Sequence, residues 1–421
     1  MQALVLAAGR SKRFWPLSDK NFLQFGGKFL IERQIEILRK AGVRKFIIVG
    51  GCHNIVKLRE TFPRFEIIEQ KNLNMGMSGA ILAARNFLNQ PTLITSTNDV
   101  FSTSIVRKVI AAKNCDGVVL AQEVKQYFPG GYLKTSNENK IVSVVEKPQP
   151  GNEPSNLVNI VCHFFHDPQK LITALQKTSN KKDDGYERAL SDLFKKQKFI
   201  VVKNPNMWQA VKFPWHALDL STIFLKTIKR KISPQAKISK RAVISGAVVI
   251  EAGVNIFDFA VINGPAFIGR NSIVGTHSLV RNSIIGVNSV IGSGSEVARS
   301  ILMENVWLHR NYIGDSILAE NVSLGSGVVL ANLRLDSKEV KSVLDKKNIK
   351  TQRNKFGCVI GANTRIGVNT SIMPGVLIGD SSFIGSGMVV EKNLKSGYFL
   401  KKNWKNITIL NKTVINNIKK V

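Results

Sequence analysis

The sequence contains few cysteines, and those it has are scattered. Its four cysteines, Cys52, Cys115, Cys162 and Cys358, include no C-x-x-C pair, so neither a disulfide framework nor a zinc site is indicated. No apolar run approaches the roughly 18 to 20 residues of a membrane-spanning helix, and the opening MQALVLAAG lacks the basic region of a signal peptide. These absences predict a cytoplasmic protein without a membrane span.

Acidic residues are also scarce. In 421 residues, 29 Asp and Glu stand against 60 Lys and Arg, which gives a formal net charge of +31. A basic surface attracts nucleic acid, anionic lipid or phosphorylated small molecules without distinguishing among them. The densest basic stretches, 226–231 and 401–420, carry no nucleic-acid module. We expect a solvated surface that favours anionic small substrates rather than nucleic acid, with a macromolecular partner as the alternative.

A six-residue period runs through the second half of the chain. An aliphatic residue recurs at every sixth position from Ile232 to Val280, and small residues from Ala236 to Ser278 follow at a fixed offset. Coils of three short strands would bury the aliphatic residue and fit the small one at each bend. We predict a left-handed parallel β-helix of hexapeptide repeats in a domain at 231–400, followed by a basic tail at 401–421.

The period lapses between Val297 and Lys355 and resumes from Ile360 to Val390. Function is often found where a scaffold rule is violated. The lapse contains a histidine, His309, and a lysine-rich excursion. We expect a functional segment here, although the repeat alone leaves a harmless loop as the alternative.

The first half of the chain, residues 1–230, alternates between apolar runs and helical patterns. The predicted strands are 2–7, 45–50, 65–69 and 92–95. One predicted helix contains Ile31, Ile35 and Leu38, a second lies near 53–60, and a third starts at Ser78. Strands that alternate with helices predict an α/β, doubly wound, Rossmann-like sheet. Its ligand should lie over the carboxyl ends of the strands.

Two features of this half are typical of a phosphate site. A glycine turn at Gly9 precedes Arg13 and Lys20, and bare amides with nearby cations grip phosphate oxygens. Asp99 follows a predicted strand, and a carboxylate there suits magnesium. A tight turn with surface lysines and a solvated aspartate are the alternatives.

Residues 6–32, LAAGRSKRFWPLSDKNFLQFGGKFLIE, resemble the signature of sugar-1-phosphate nucleotidyltransferases, in which G-x-G-T-R-x-x-P precedes a lysine and a G-K-P. Further matches follow in chain order: Gln70, GMSGA at 76–80, Asn98-Asp99, Gly131-Tyr132, Glu146-Lys147-Pro148, Asn159, and Trp208 before Pro214-Trp215. Joined to a β-helix, the whole is similar to bifunctional uridylyltransferase/acetyltransferases that form UDP-N-acetylglucosamine, particularly archaeal-type ones.

The resemblance implies roles for residues of the first domain. Arg13 and Lys20 would be catalytic, Asp99 would bind Mg²⁺, and a nucleoside triphosphate, UTP above others, would be the co-substrate. Nucleotide binding is assigned to Leu6, Ala8, Gly9, Gln70 and Gly76, and sugar-phosphate binding to Gly131, Glu146, Lys147 and Asn159. Nucleotidyl transfer needs charge neutralisation more than covalent help, so these residue types suit the chemistry.

The resemblance also covers WLHRNYIGDSILAENVSLGSGVVLANLRLD at 307–336, which is similar to the family's acetyltransferase segment. It implies acetyl-CoA as donor, His309 as the base that deprotonates the attacking amine, and a homotrimer. Acetyl-acceptor and acetyl-CoA binding are assigned to Arg281, Tyr312, Ser326, Asn332, Lys338 and Lys341.

Several positions depart from the family pattern. Ser11 and Lys12 replace a glycine and a threonine, and Phe29 replaces the proline of the G-K-P. Ala210 replaces a metal-binding Asp or Asn, and Ala298 replaces a lysine.

The leading hypothesis is acetylation of glucosamine 1-phosphate or galactosamine 1-phosphate, followed by coupling to UTP. One alternative is nucleotidyl transfer alone, with glucose or mannose 1-phosphate and dTTP or GTP, beside a structural β-helix. The other is a non-catalytic regulatory subunit.

Overall fold

The computed structural model describes residues 1–136, 139–178, 184–205 and 208–402. The predicted basic tail at 401–421 therefore lies almost entirely outside the described residues. Within the described ranges, no helix is both long and apolar enough to cross a membrane. An α/β part comes first in the chain and a β-helix follows it.

The α/β part contains thirteen strands and seven α-helices in the described residues. The strands are β1 (Gln2–Leu6), β2 (Gln24–Phe25), β3 (Lys28–Phe29), β4 (Lys45–Gly50), β5 (Glu66–Glu69), β6 (Thr92–Ser96), β7 (Asp99–Val100), β8 (Gly117–Glu123), β9 (Gly131–Thr135), β10 (Ile141–Glu146), β11 (Leu157–Phe165), β12 (Phe199–Asn204) and β13 (Gln209–Ala210). The helices are α1 (Leu30–Lys40), α2 (Ile55–Thr61), α3 (Gly76–Ala83), α4 (Thr103–Ala111), α5 (Pro168–Lys177), α6 (Gly185–Lys196) and α7 (His216–Thr227). The predicted strands and helices are present, with α3 starting at Gly76 rather than Ser78.

A nine-stranded sheet forms the centre of this part, in the order β10-β9-β11-β6-β1-β4-β5, with β8 joining β11 to β12. Strands β5, β4, β1 and β6 are parallel, and β11 runs antiparallel to β6. Helices α3, α5 and α6 pack on one face, and α1, α2 and α4 on the other. The predicted doubly wound sheet is confirmed. The loop after β1 and the residues after β6 share one edge of it.

The β-helix consists of three parallel sheets, which we call the first, second and third faces. The first face contains Lys231–Ile232, Val248–Ile250, Ala266–Ile268, Ile284–Ile285, Ile301–Leu302, Ile317–Leu318, Val359–Ile360 and Leu377–Ile378. The second contains Lys237–Ile238, Asn255–Ile256, Ile273–Val274, Val290–Ile291, Trp307–Leu308, Ser323–Leu324, Arg365–Ile366, Phe383–Ile384 and Phe399–Leu400. The third contains Val243–Ser245, Val261–Asn263, Leu279–Arg281, Glu296–Ala298, Tyr312–Gly314, Val329–Leu330, Ser371–Ile372 and Val389–Val390.

The predicted lapse of the repeat from Val297 to Lys355 is wrong for most of its length. Coils continue through Val329–Leu330, and their aliphatic residues join the same buried core as the earlier ones. The six-residue count fails because the corners shorten: Val297 pairs with Val280, 17 positions earlier, and with Ile313, 16 positions later. The inward-facing pattern therefore survives a change of coil length.

The true excursion from the β-helix is much shorter than the predicted one. It lies between Leu333 and Lys355, which form a bridge to each other. It carries a hairpin of two antiparallel strands, Lys341–Leu344 and Lys347–Lys350. We call residues 333–355 the excursion.

The corners of the coils explain the small and polar residues in the repeat. Ser272 Oγ donates to the Gly286 carbonyl at 2.7 Å, and Ser289 Oγ donates to the Met303 carbonyl at 3.1 Å. These buried hydroxyls join one coil to the next. At another corner asparagines adopt left-handed backbone angles, which asparagine tolerates better than most residues; they are Asn271, Asn288, Asn305, Asn321 and Asn363.

The α/β part packs against the first face of the β-helix. A shared buried cluster contains Phe14 and Trp215 from one part and Ile301 and Phe356 from the other. The rings of Trp215 and Phe356 lie 5.9 Å apart. Arg353 of the excursion forms an ion pair with Asp219 of α7. The excursion is thus held between the two parts.

Candidate active sites

The loop after β1 is fastened by the carboxylate of Asp19. Its Oδ2 accepts from Asn54 Nδ2 at 2.7 Å, and its Oδ1 accepts from the Asn21 backbone N–H at 2.9 Å. Asn21 and Asn54 both also donate to the Ala7 carbonyl. A side chain at Gly9 would meet nothing within 4 Å, so the front of the loop is open. Sequence reasoning missed Asp19 and Asn54, because only the folded loop brings them together.

Ser11, which replaces the family's glycine, has a left-handed backbone with φ of 49°. Glycine adopts this conformation readily, whereas in another residue it costs about 1 to 2 kcal/mol of conformational free energy. The Ser11 hydroxyl donates to Asp19 Oδ1 at 3.4 Å. The loop therefore keeps the glycine geometry with a serine in place.

Arg13, Lys20 and Asp99, which the sequence predicted to act together, lie close enough to influence one another's charge. Burial lowers the pKa of Lys20 to about 8; Arg13 acts in the same direction, and Asp19 and Asp99 oppose it. Burial raises the pKa of Asp99, and the Trp208 N–H, 2.8 Å from Asp99 Oδ1, opposes that rise. This edge of the sheet combines one buried carboxylate with several cations.

Asp99 is the one predicted metal ligand, and its surroundings suit a metal only in part. The residue paired with it across β7 and β13 is Ala210, whose methyl group cannot bind a cation. Within the described residues, no group of three or more His, Cys, Asp or Glu side chains could hold a metal ion. Mg²⁺ keeps several waters and bonds to substrate phosphates. Asp99 fits an ion that is also held by a triphosphate.

The predicted sugar-phosphate residues converge beside this edge. A side chain at Gly131 would meet Glu146 Oε2 at 3.0 Å and Asn159 Cβ at 3.7 Å, so the glycine leaves space between them. Lys147 forms an ion pair with Glu146 at 2.7 Å and donates its backbone N–H to Gly130. The structure thus brings together all four: Gly131, Glu146, Lys147 and Asn159.

A buried histidine behind Asn159 was missed by the sequence reasoning. His163 Nε2 lies 2.7 Å from Asn159 Oδ1, and its Nδ1 lies 2.6 Å from the Tyr186 hydroxyl. Burial lowers the pKa of His163 to about 3, so the ring is neutral. The ring orients the Asn159 amide, because a neutral imidazole has one donor and one acceptor nitrogen.

The predicted nucleotide-binding residues lie along the same edge. Leu6 and Ala8 are buried at the end of β1. Gln70 Nε2 donates to the carbonyls of Asn72 and Gly76, each at 2.9 Å. Gly76 has φ of 53° and ψ of −139°, a conformation open essentially to glycine. Gln70 therefore shapes the turn that begins α3.

His309 lies on a corner between the second and third faces of the β-helix. Its ring is exposed and makes no hydrogen bond to the described part of the chain. Its backbone N–H donates to Asn311 Oδ1 at 2.8 Å, and its carbonyl accepts from the Ser295 hydroxyl. The backbone of this residue is held firmly while the imidazole is free.

A polar network lies where the strands of the third face end. The Tyr312 hydroxyl lies 3.5 Å from Asn332 Oδ1, and Asn332 Nδ2 donates to Asp315 at 2.5 Å. Asp315 is also bound by both arms of Arg299, at 2.7 and 2.8 Å. The structure brings together Tyr312 and Asn332 and adds Asp315 and Arg299, which sequence reasoning missed.

The other predicted residues of the second site are more dispersed. Arg281 forms an ion pair with Glu296 at 2.6 Å. Ala298 pairs with Arg281 and Gly314 in the same ladder and is fully buried. Ser326, Lys338 and Lys341 are exposed, and no contact joins them to His309 in the described part of this chain.

Comparison with family models divides the chain into three. Residues 3–198 match the MobA-like NTP transferase domain. Residues 228–352 match the GMPPB C-terminal domain, and residues 357–392 match the bacterial transferase hexapeptide (six repeats). The first match includes Arg13, Lys20, Asp99 and Lys147, and the second includes His309, Tyr312 and Asn332.

Curated relatives match almost the full chain. A "Bifunctional sugar-1-phosphate nucleotidylyltransferase/acetyltransferase" of Sulfurisphaera tokodaii is 32% identical over 95% of this chain and 100% of its own. A "Bifunctional protein GlmU" of Methanococcus aeolicus is 32% identical over 96% of this chain and 97% of its own. A protein of the same name from Methanocaldococcus jannaschii is 31% identical over 96% and 98%. The similarity therefore includes the α/β part, the β-helix and the excursion.

Proposed function

The chain belongs to the family of bifunctional sugar-1-phosphate nucleotidyltransferase/acetyltransferases, and from this premise we propose its two reactions. In the β-helix, the amine of glucosamine 1-phosphate, or of galactosamine 1-phosphate, attacks acetyl-CoA and releases coenzyme A. In the α/β part, the phosphate of the N-acetylhexosamine 1-phosphate attacks UTP, which forms the nucleotide sugar and releases pyrophosphate.

The observation that carries this proposal is the meeting of four charged residues at one edge of the sheet. Arg13 and Lys20 come from the loop after β1, Asp99 follows β6, and Lys147 follows β10. Nucleotidyl transfer depends on positioning and on neutralising phosphate charge. Arg13 and Lys20 would neutralise the triphosphate and the departing pyrophosphate, while Lys147 would hold the attacking sugar phosphate.

Asp99 would contribute one carboxylate oxygen to a Mg²⁺ ion bound to the triphosphate. Such an ion neutralises charge on the phosphate oxygens. Trp208 orients the carboxylate by donating to Asp99 Oδ1, and Gln34 fixes the backbone by donating to the Asp99 backbone carbonyl. Both contacts hold Asp99 in place before the nucleotide arrives.

For acetyl transfer, His309 would accept the proton that the amine loses as it attacks the thioester. Tyr312 and Asn332, whose side chains lie 3.5 Å apart, would bind the amino-sugar phosphate. Lys338 and Lys341 of the excursion would bind phosphates of acetyl-CoA. The attack is direct, so no nucleophilic side chain is required.

A homotrimer formed through the β-helix would complete the acetyltransferase site. The third face exposes aliphatic side chains, including Val243 and Val389, and Leu335 of the excursion is fully exposed. Exposed apolar groups of this kind are typical of an interface. A neighbouring subunit would cover them and supply contacts to the His309 ring.

One observation favours a second candidate, nucleotidyl transfer alone with the β-helix as an assembly device. A general base is usually oriented by a second group, and within the described residues the His309 ring has no partner. In that case His309→Ala would leave every activity unchanged. The leading proposal predicts that this substitution removes acetyl transfer.

Product analysis of the purified protein tests the proposal. With glucosamine 1-phosphate, acetyl-CoA and UTP, we expect free thiol, pyrophosphate and a nucleotide sugar detectable by mass spectrometry. Parallel reactions with galactosamine 1-phosphate, and with dTTP or GTP, identify the sugar epimer and the base. If neither coenzyme A nor pyrophosphate is released with any of these substrates, the proposal is wrong.

A further inference from the structure

Lys212 lies in the α/β site, although nothing in the family signature pointed to it. It follows β13 by two positions, and its ammonium donates to the Pro129 carbonyl at 2.5 Å. The same group lies 3.6 Å from the centre of the Phe128 ring. An ammonium has three donors, so two stay available to a ligand while the Pro129 and Phe128 contacts fix its position.

The charges around Lys212 show where this ammonium lies relative to the predicted site residues. Burial lowers the pKa of Lys212 to about 8; Arg13 and Lys147 act in the same direction, and Asp99 and Glu146 oppose it. These four residues come from the loop after β1, the start of β7 and the end of β10. Lys212 is therefore within electrostatic reach of both the triphosphate side and the sugar-phosphate side of the site.

Lys212 occurs where the site is short of a metal ligand. Directly opposed residues in an antiparallel pair have Cβ atoms about 5 Å apart, and the residue opposed to Asp99 is Ala210. A carboxylate or amide there would give a divalent ion a second protein ligand. The chain instead has a methyl group at this position and a fixed cation two residues later.

We propose that Lys212 is a further catalytic residue, whose ammonium binds triphosphate oxygens beside Asp99 and replaces part of the charge neutralisation that a second metal ligand would secure. The inference rests on the proposed nucleotidyl transfer. A cation held in place before the substrate arrives needs no reorganisation during the reaction. Triphosphate binding by this chain consequently depends only weakly on Mg²⁺.

Nucleotide titration of the full chain by calorimetry tests this inference. UTP, dTTP, GTP, CTP and ATP are each titrated with excess Mg²⁺ and with EDTA. For the nucleotide that binds best, the wild-type protein should bind within about tenfold of its Mg²⁺ affinity when EDTA is present. Lys212→Met should weaken binding in EDTA by roughly tenfold or more, the worth of one charge-assisted hydrogen bond, and weaken it less in Mg²⁺.

Two further variants separate charge from structure. Lys212→Arg keeps the cation and should retain most of the EDTA affinity. Lys203→Met removes an exposed lysine from β12 and should change nothing. Melting temperatures within a few degrees of the wild type show that each variant is folded.

Three results would overturn the inference. One is wild-type binding in Mg²⁺ that disappears in EDTA, which leaves the proposed function intact. Another is an equal loss in Lys212→Met under both conditions, since a merely structural lysine would behave that way. The third is the absence of binding to any triphosphate in either condition, which contradicts the proposed nucleotidyl transfer as well.

Discussion

At the scale of single residues, Ser11 tests how the loop after β1 tolerates a side chain in a left-handed backbone. Ser11→Gly should raise kcat/KM for nucleotidyl transfer severalfold, because it opens space beside Gly9 and relieves the backbone. The free energy of unfolding should stay within about 1 kcal/mol of the wild type, since the relief offsets the flexibility of glycine.

The contrasting variant at this position is Ser11→Val. A β-branched residue is poorly accommodated at φ of 49°, so the free energy of unfolding should fall by about 1 to 2 kcal/mol. Urea unfolding and initial rates measure both effects. Equal rates in all three proteins would show that the loop is not the nucleotide site.

His163 gives the protein a pH-dependent stability. Its pKa is about 3 in the folded protein, against 6.5 for an ordinary histidine, so below pH 6.5 the unfolded chain binds a proton that the folded chain excludes. Stability therefore falls as the pH falls. Between pH 7.5 and 5.0 the wild type should lose about 2 kcal/mol more than His163→Gln, as measured by urea unfolding. Equal losses in both proteins would contradict a buried neutral ring.

Residues whose role depends on a local motif were predictable, whereas those defined by tertiary contacts were not. Arg13, Lys20 and Asp99 were predicted as site residues from the glycine turn and the strand end. Asp19 and Lys212 gave no such signal, because their partners are distant in sequence and meet them only when the sheet forms. An aspartate or a lysine in a basic loop is otherwise an ordinary surface residue.

At the scale of elements, the left-handed backbone of the corner asparagines should affect the stability of the β-helix. Asn288 is exposed, has φ of 56°, and accepts from Asn271 Nδ2 at 3.3 Å. Asn288→Ala should lower the free energy of unfolding by about 1 kcal/mol, because alanine resists the left-handed region more than asparagine does. Asn288→Gly, the matched control, should stay within about 0.5 kcal/mol. Thermal or urea unfolding of the two variants measures this, and equal effects would contradict the corner assignment.

In the β-helix, the sequence specifies the inward-facing positions of the strands more reliably than the length of each coil. Counting by six predicted the coils up to Val280 and again from Ile360 to Val390, and it failed in the coils around Val297, because corners can lose a residue while the inward aliphatic positions persist. Leu302, Leu308 and Leu324 continue the core beyond that point. Alternation within each short strand is the more durable signal, since inward and outward positions follow from strand geometry whatever the corner length.

The excursion was placed too broadly for the same reason, and its packing could not be predicted at all. Val340 and Leu344 of the excursion are buried in the cluster between the two parts of the chain. Such burial depends on the relative placement of the α/β part and the β-helix. No periodicity within the excursion encodes that placement.

At the scale of the whole molecule, the proposed trimer can be tested through Leu335. This side chain is fully exposed, and we expect Leu335→Glu to weaken assembly by placing a charge in an apolar interface. The control is Val56→Glu, which changes an exposed apolar residue on α2. Light scattering after size-exclusion chromatography should give a trimer mass for the wild type and the control and a smaller mass for Leu335→Glu. A monomeric wild type would contradict the proposed assembly.

The central claim is that one chain carries two independent active sites, and one assay tests it most directly. Coenzyme A release and pyrophosphate release are followed in parallel for the wild type, Asp99→Asn and His309→Ala, with glucosamine 1-phosphate, N-acetylglucosamine 1-phosphate, acetyl-CoA and UTP supplied. We predict that Asp99→Asn loses roughly 10²-fold or more of pyrophosphate release and keeps coenzyme A release. His309→Ala should lose roughly 10²- to 10⁴-fold of coenzyme A release and keep pyrophosphate release. Unchanged coenzyme A release in His309→Ala, or loss of both products in either variant, would contradict the account.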